Sequence, residues 1–116
     1  MYVDGFVVPI KKDRIEEYRA MALTAGKVWM DSGALSYVET VAEDVPDGEV
    51  TSFPIALKLE DGEVPGFAWV TYNSREHRDE VMAKVMAHED MQKMPEDPPM
   101  NTKRMFFGGF ETIAQL

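Results

Sequence analysis

The chain has 116 residues, 45% of them hydrophobic, a formal net charge of −9 and no cysteine. That length suits one domain, residues 1–116, with enough apolar mass to build a core. The acidity argues against nucleic acid or an anionic membrane as partner, and the missing thiols exclude disulfides, cysteine-ligated zinc and iron–sulfur clusters.

The first segment, MYVDGFVVPIKKD, lacks a basic leader and a long apolar stretch, so it reads as a strand rather than a signal peptide. No apolar run nears the roughly 20 residues that span a bilayer. A soluble cytoplasmic protein is expected. Residues 2–8 form the first strand, with Pro9 as its stop. Over 13–31 the period changes: Ile15, Tyr18, Ala22, Ala25 and Trp29 recur at spacings of three and four, which predicts an amphipathic helix. Asp13 is its expected N-cap, with Glu16 completing a capping box, and Gly33 its stop. Residues 35–42 form the second strand, and EDVPDGE an acidic solvated turn. Residues 52–59 are consistent with a short strand or, through Pro54, with a helical turn. EDGEVPG is a second turn, and 66–72 the third strand. Ser74 caps the next helix, with His77 at its third position and an end near His88. Its core stripe is Val81, Met82, Val85 and Met86. PEDPP is a loop, and 104–114 the last strand.

Strand, helix, strand, strand, helix, strand is the ferredoxin-like βαββαβ order: an α+β fold with a four-stranded antiparallel sheet. Alternation along the strands makes both sheet faces apolar. Tyr2, Phe6 and Val8 share a face with Asp4, and Val3 and Val7 take the other. Phe67 and Trp69 oppose Ala68, Val70 and Tyr72; Phe106 and Phe110 oppose Met105, Phe107 and Ile113. Two helices cover one face only, and a solvated second face would be polar. A second copy related by a two-fold axis is the economical cover, so a homodimer through the sheet face is expected.

The stretches MYVDGFVVPI, KVWMDSGALSYVE, VTSFP, NSREHRDEVMAKVM and KRMFFGGFE, in that order, resemble the YbaA-type family of uncharacterised bacterial proteins. The resemblance implies a dimeric α+β barrel and no established activity. The wider barrel superfamily includes cofactor-independent monooxygenases, muconolactone isomerases, haem-degrading enzymes and ligand-binding modules, so the fold does not choose a function.

The candidate chemistry is sparse. His77 and His88 are eleven residues apart, about 16 Å along a helix, too far to share a metal ion. They read first as border residues of an amphipathic helix; the sharper reading gives His77 a proton-transfer or ligand-binding role. Asp4 and Glu39 sit among apolar strand neighbours and are candidate acid/base groups, unless they pair with Arg104 or lie at strand ends. Tyr37, Trp69, Tyr72 and Phe106, with Arg104, could line an aromatic ligand pocket, against the plainer role of packing. Gly108–Gly109 suggests a bulge or a close backbone approach. No metal or cofactor is expected; haem is a weaker option, since no histidine faces an evident flat pocket. Two functions remain open: a small-ligand-binding protein, or a cofactor-independent monooxygenase or isomerase acting on a small aromatic or keto/enol substrate.

Overall fold

A computed structural model describes all 116 residues. The strands are β1 (Tyr2–Lys11), β2 (Ser36–Val41), β3 (Glu63–Tyr72) and β4 (Phe106–Glu111); the helices are α1 (Ile15–Asp31), α2 (Phe53–Leu57) and α3 (Arg75–Ala87). Every paired strand is antiparallel and the order is β2-β3-β1-β4. β1 and β2 are therefore parallel and joined across β3 by α1, and β3 and β4 are joined across β1 by α3. This is the ferredoxin-like α+β arrangement. No helix is long and apolar enough to cross a membrane.

The core lies between α1, α3 and the sheet, where Val28, Trp29, Val70, Tyr72, Val81 and Val85 are buried together. The face carrying Asp4, Phe6, Val70 and Tyr72 is thus the one the helices cover. From α3, Val81 and Val85 are buried in this core and Met82 packs against it, whereas Met86, expected in the stripe, is exposed. Gly33 ends α1 with φ +114, a conformation that an L side chain resists. Ser74 Oγ accepts from the His77 amide at 3.1 Å, the cap expected for α3.

Several boundaries differ from expectation for identifiable reasons. Pro9 does not stop β1. Its carbonyl accepts from the Asn101 amide at 3.0 Å, so its missing donor points at residues 99–101 rather than into the β1–β3 ladder. The paired Pro65 likewise turns its carbonyl to the Ala42 amide, 2.9 Å away. Each proline costs the ladder nothing there, and β3 takes in half of the predicted EDGEVPG turn. Asp13 caps no helix: it lies in a 3-10 turn, and Arg14 precedes α1 with no side-chain cap, pairing instead with Glu17 at 2.6 Å. β4 spans Phe106–Glu111 rather than the predicted 104–114, and before its first residue Arg104 turns to Glu63. Gly108 and Gly109 pair in regular register with Gly5 and Asp4 and form no bulge. A side chain at Gly109 would instead run into the Tyr2 hydroxyl.

Residues 52–59 resolve as helix. Ser52 Oγ accepts from the Ile55 amide at 3.1 Å, Pro54 occupies the first turn, and Lys58 closes it with φ 52. α2 lies on the face opposite α1 and α3, its Phe53 ring edge-on to Phe67 at 6.0 Å. Arg104 pins it by donating to the carbonyls of Leu57 and Lys58 and to both Glu63 oxygens, the shorter at 2.6 Å. The Arg104 hydrogen bonds hold the Glu63 carboxyl below its ordinary value of 4.5. A depressed carboxylate stabilises the fold above the unfolded-state value, and that contribution is lost as pH falls through the folded one. Glu63→Gln is therefore expected to lower the melting temperature at pH 7. The gap to wild type should shrink progressively below about pH 4.5, where melting curves at pH 7 and pH 3 would register it.

The molecule measures 38 × 37 × 20 Å. Its thin dimension is about that of one sheet plus one helix layer. The second sheet face, beyond the part under α2, has no third layer. Phe67 and Phe106 there are each 43% exposed and Phe110 is 63% exposed.

Candidate functional site

On the helix-covered face, β2 is an edge strand and presents Tyr37 and Glu39 two residues apart. Tyr18, from the first half of α1, comes down onto the same spot. The Tyr18 hydroxyl donates to one Glu39 oxygen at 2.5 Å and the Tyr37 hydroxyl to the other at 2.6 Å. Burial, and then the carboxylate beside them, push both phenols well above their ordinary pKa, so each keeps its proton. Gly26 makes this approach possible: a Cβ there would lie 2.7 Å from Tyr37 Cδ1. The Tyr37 ring also packs against Trp29, with centroids 5.7 Å apart.

α1 meets the sheet here through Ala22, Ala25 and Gly26, side chains too small to fill the space beneath it. A half-open cleft results, in two lobes of about 460 and 470 Å³ that share Tyr18, Ala22, Tyr37 and Glu39. Ile10, Ile15, Leu23 and Met30 wall the first lobe. Phe6, Trp29 and Val70 wall the second, together with Met21, Met91, Met94, Met100 and Met105. Glu39 stands at the waist between the lobes.

Asp4 belongs to a separate cluster. It is 4% exposed, and its Oδ1 lies 3.0 Å from an Arg78 guanidinium nitrogen. Arg78 also donates to the Tyr2 hydroxyl at 3.2 Å and lies over the Tyr2 ring. The Tyr72 hydroxyl, beside Asp4, accepts from Trp29 Nε1 at 3.1 Å. Burial pushes the Asp4 carboxyl up, against the lowering pull of Tyr72 and Arg78. None of Asp4, Arg78 or Tyr72 lines either lobe of the cleft. Their geometry is that of a polar pin joining α3 to the sheet.

The remaining candidates are dispersed. His77 Nδ1 accepts from the Asn73 amide at 2.9 Å, and its ring stands edge-on to Tyr72. His88 Nδ1 accepts from the Asp90 amide at 3.1 Å on the surface. Trp69 lies on the face away from α1 and α3, 5.6 Å from Phe67, and Phe106 shares that face by register. Tyr37 and Tyr72 are on the helix side, so one pocket cannot gather all four aromatics. Arg104 meets Glu63 rather than Asp4 or Glu39. No group of three His, Asp or Glu side chains is placed to hold a metal ion. Tyr18 was invisible as a site residue because its spacing fits the apolar stripe of α1. The available signal was the smallness of its stripe neighbours Ala22 and Ala25, which cannot fill a core.

Residues 1–104 match the family described as "Protein of unknown function (DUF1428)". The chain is 46% identical over 112 residues to "Uncharacterized protein YbaA" of Escherichia coli (strain K12), covering 97% of this chain and 96% of that protein. Proteins of the same description in Escherichia coli O157:H7 and Shigella flexneri give the same figures.

Proposed function

We propose a function on the premise that the chain belongs to the DUF1428 family of proteins of unknown function: it is a cytoplasmic, single-domain homodimer that binds a small, mainly apolar ligand in the cleft under α1. The observation that carries the ligand reading is the Glu39 carboxylate, with its two phenol partners, at the waist of a mainly apolar cleft whose second lobe is walled by methionines. Small-molecule sites have this composition: a greasy wall with a few convergent polar atoms that orient the guest. Packing for its own sake would close the space and leave no carboxylate there. The exposed rings of Phe67, Phe106 and Phe110 support the dimer, since an apolar face on so acidic a protein finds its natural cover in a second copy. A chain without cysteine suits a reducing cytoplasm.

The cleft is tested by filling it. Ala25 lines the second lobe, and Ala25→Leu is expected to abolish binding of the neutral fluorophore N-phenyl-1-naphthylamine. The same change should leave the melting temperature equal or higher, because a larger side chain in a void adds burial. Wild-type protein that gives no saturable fluorescence rise with this dye would end the ligand reading.

A second reading keeps the site and adds proton transfer. A carboxylate beside two protonated phenols can take a proton from carbon next to a carbonyl, provided that one phenol gives up its hydrogen bond to Glu39 and turns to donate to the developing enolate oxygen. Return of that proton to a different carbon would complete an isomerisation without cofactor. Deuterium uptake by an enolisable aryl ketone, dependent on Glu39, would favour it.

A further inference from the structure

We infer that the cleft selects an amine: a molecule with one or two aromatic rings, bound as its ammonium ion, with the charged nitrogen against Glu39 and the phenol oxygens of Tyr18 and Tyr37. This specifies the guest of the proposed ligand site and rests on that reading.

The direction of the hydrogen bonds decides it. Each phenol spends its one hydrogen on Glu39, at 2.5 and 2.6 Å. What the waist then offers a guest is lone pairs only, on the carboxylate and on the two phenol oxygens. A carboxylate, phosphate or carbonyl would meet acceptors with its own acceptors. An ammonium group carries three donors and no acceptor, and its charge complements that of Glu39. Burial and the neighbouring carboxylate push both phenols up, so each keeps the proton that it gives to Glu39.

The walls agree with the waist. The rings of Tyr37 and Trp29, 5.7 Å apart, both line the second lobe, and aromatic rings attract a cation. The other ionised groups do not reverse the charge. Arg19, beside the first lobe, is mostly exposed and turned to Glu16 at 3.1 Å. Asp90 and Lys93, exposed beside the second lobe, offset one another. Glu39 is the one ionised group common to both lobes. The five methionines of the second lobe supply a soft, polarizable wall suited to a flat ring. Its volume of about 470 Å³ accommodates one or two fused rings.

The test uses full-length Trp69→Phe protein, which leaves Trp29 in the cleft as the sole tryptophan. Quenching of Trp29 is titrated with three probes of one shape: 2-(1-naphthyl)ethylamine, 2-(1-naphthyl)ethanol and 3-(1-naphthyl)propionate. The amine is expected to bind at least about tenfold more tightly than the alcohol, and the carboxylate most weakly. Glu39→Gln should erase the advantage of the amine while the alcohol still binds. Tyr37→Phe, which keeps the ring and the carboxylate, provides a second variant should the first fold poorly, and should reduce the advantage in part. Equal affinities, or the carboxylate binding best (as an anion site at Lys93 would require), overturns the amine assignment and leaves the ligand site standing. Failure of all three probes overturns the assignment and the site together.

Discussion

Phe110→Glu is expected to convert the proposed dimer into a folded monomer at micromolar concentration, seen as a halved mass in sedimentation or light scattering with an unchanged far-UV circular dichroism spectrum. The residue is chosen because the protomer depends on it little. It is 63% exposed on the edge strand β4. Its ring lies across Gly5 and Gly108, within 3.8 Å of where their side chains would begin. Losing that cover and placing a glutamate in a strand costs about 1 kcal/mol. A dimer through this face presses the new carboxylate against the apolar rings of its twin. An unpaired buried charge costs several kcal/mol, and about 4 kcal/mol corresponds to roughly a thousandfold weaker association. Phe110→Leu, which keeps the surface apolar, should stay dimeric. Wild-type protein that is monomeric at tens of micromolar, or a Phe110→Glu protein of unchanged mass, would refute pairing through this face.

Leu57→Ala is expected to be the most damaging of these changes to the protomer itself. Leu57 is fully buried although it belongs to a helix of five residues. So short a helix has no stability of its own and survives by what it packs against. Ser52, Pro54 and the left-handed Lys58 shape it, Arg104 ties down its last carbonyls, and Leu57 is its one buried side chain. Truncating a buried leucine costs about 2–5 kcal/mol, which for a domain of this size lowers the melting temperature by on the order of 10 °C. The comparison with Ile55→Ala, on the exposed side of the same helix, isolates the effect, because surface changes stay within about 0.5 kcal/mol. Both are measured at one protein concentration, since dimer formation would make melting concentration-dependent. A Leu57→Ala protein that melts with wild type would mean that α2 is not docked.

The cleft shows where reading the residues in order succeeds and where it stops. Glu39 stands out in the sequence as a carboxylate among apolar strand neighbours and Tyr37 as a candidate pocket ring, but their hydrogen bond shows only in the structure. Tyr18 is not evident, because its meeting with Glu39 depends on how α1 crosses β2, with 20 residues between them in the chain. Asp4 is equally conspicuous in its strand, yet its partner is Arg78, 74 residues away on α3, rather than Arg104. The Asp13 cap failed for a local reason: the chain leaves β1 through a 3-10 turn, and α1 begins one residue later than the capping pattern proposes.

Taken alone, the residues determined the strand and helix order, the Ser74 and Gly33 boundaries, and the presence of two apolar sheet faces. Each of these follows from side-chain period and backbone preference over a few neighbouring positions. Tertiary structure decided which face the helices cover, that Pro54 begins a helix across the other, and that Tyr18, Tyr37 and Glu39 converge while Trp69 and Phe106 face away. Those outcomes depend on the angle and spacing at which distant elements pack. Such packing is set by the volumes of side chains far apart in the chain, among them the small Ala22, Ala25 and Gly26 that leave the cleft open.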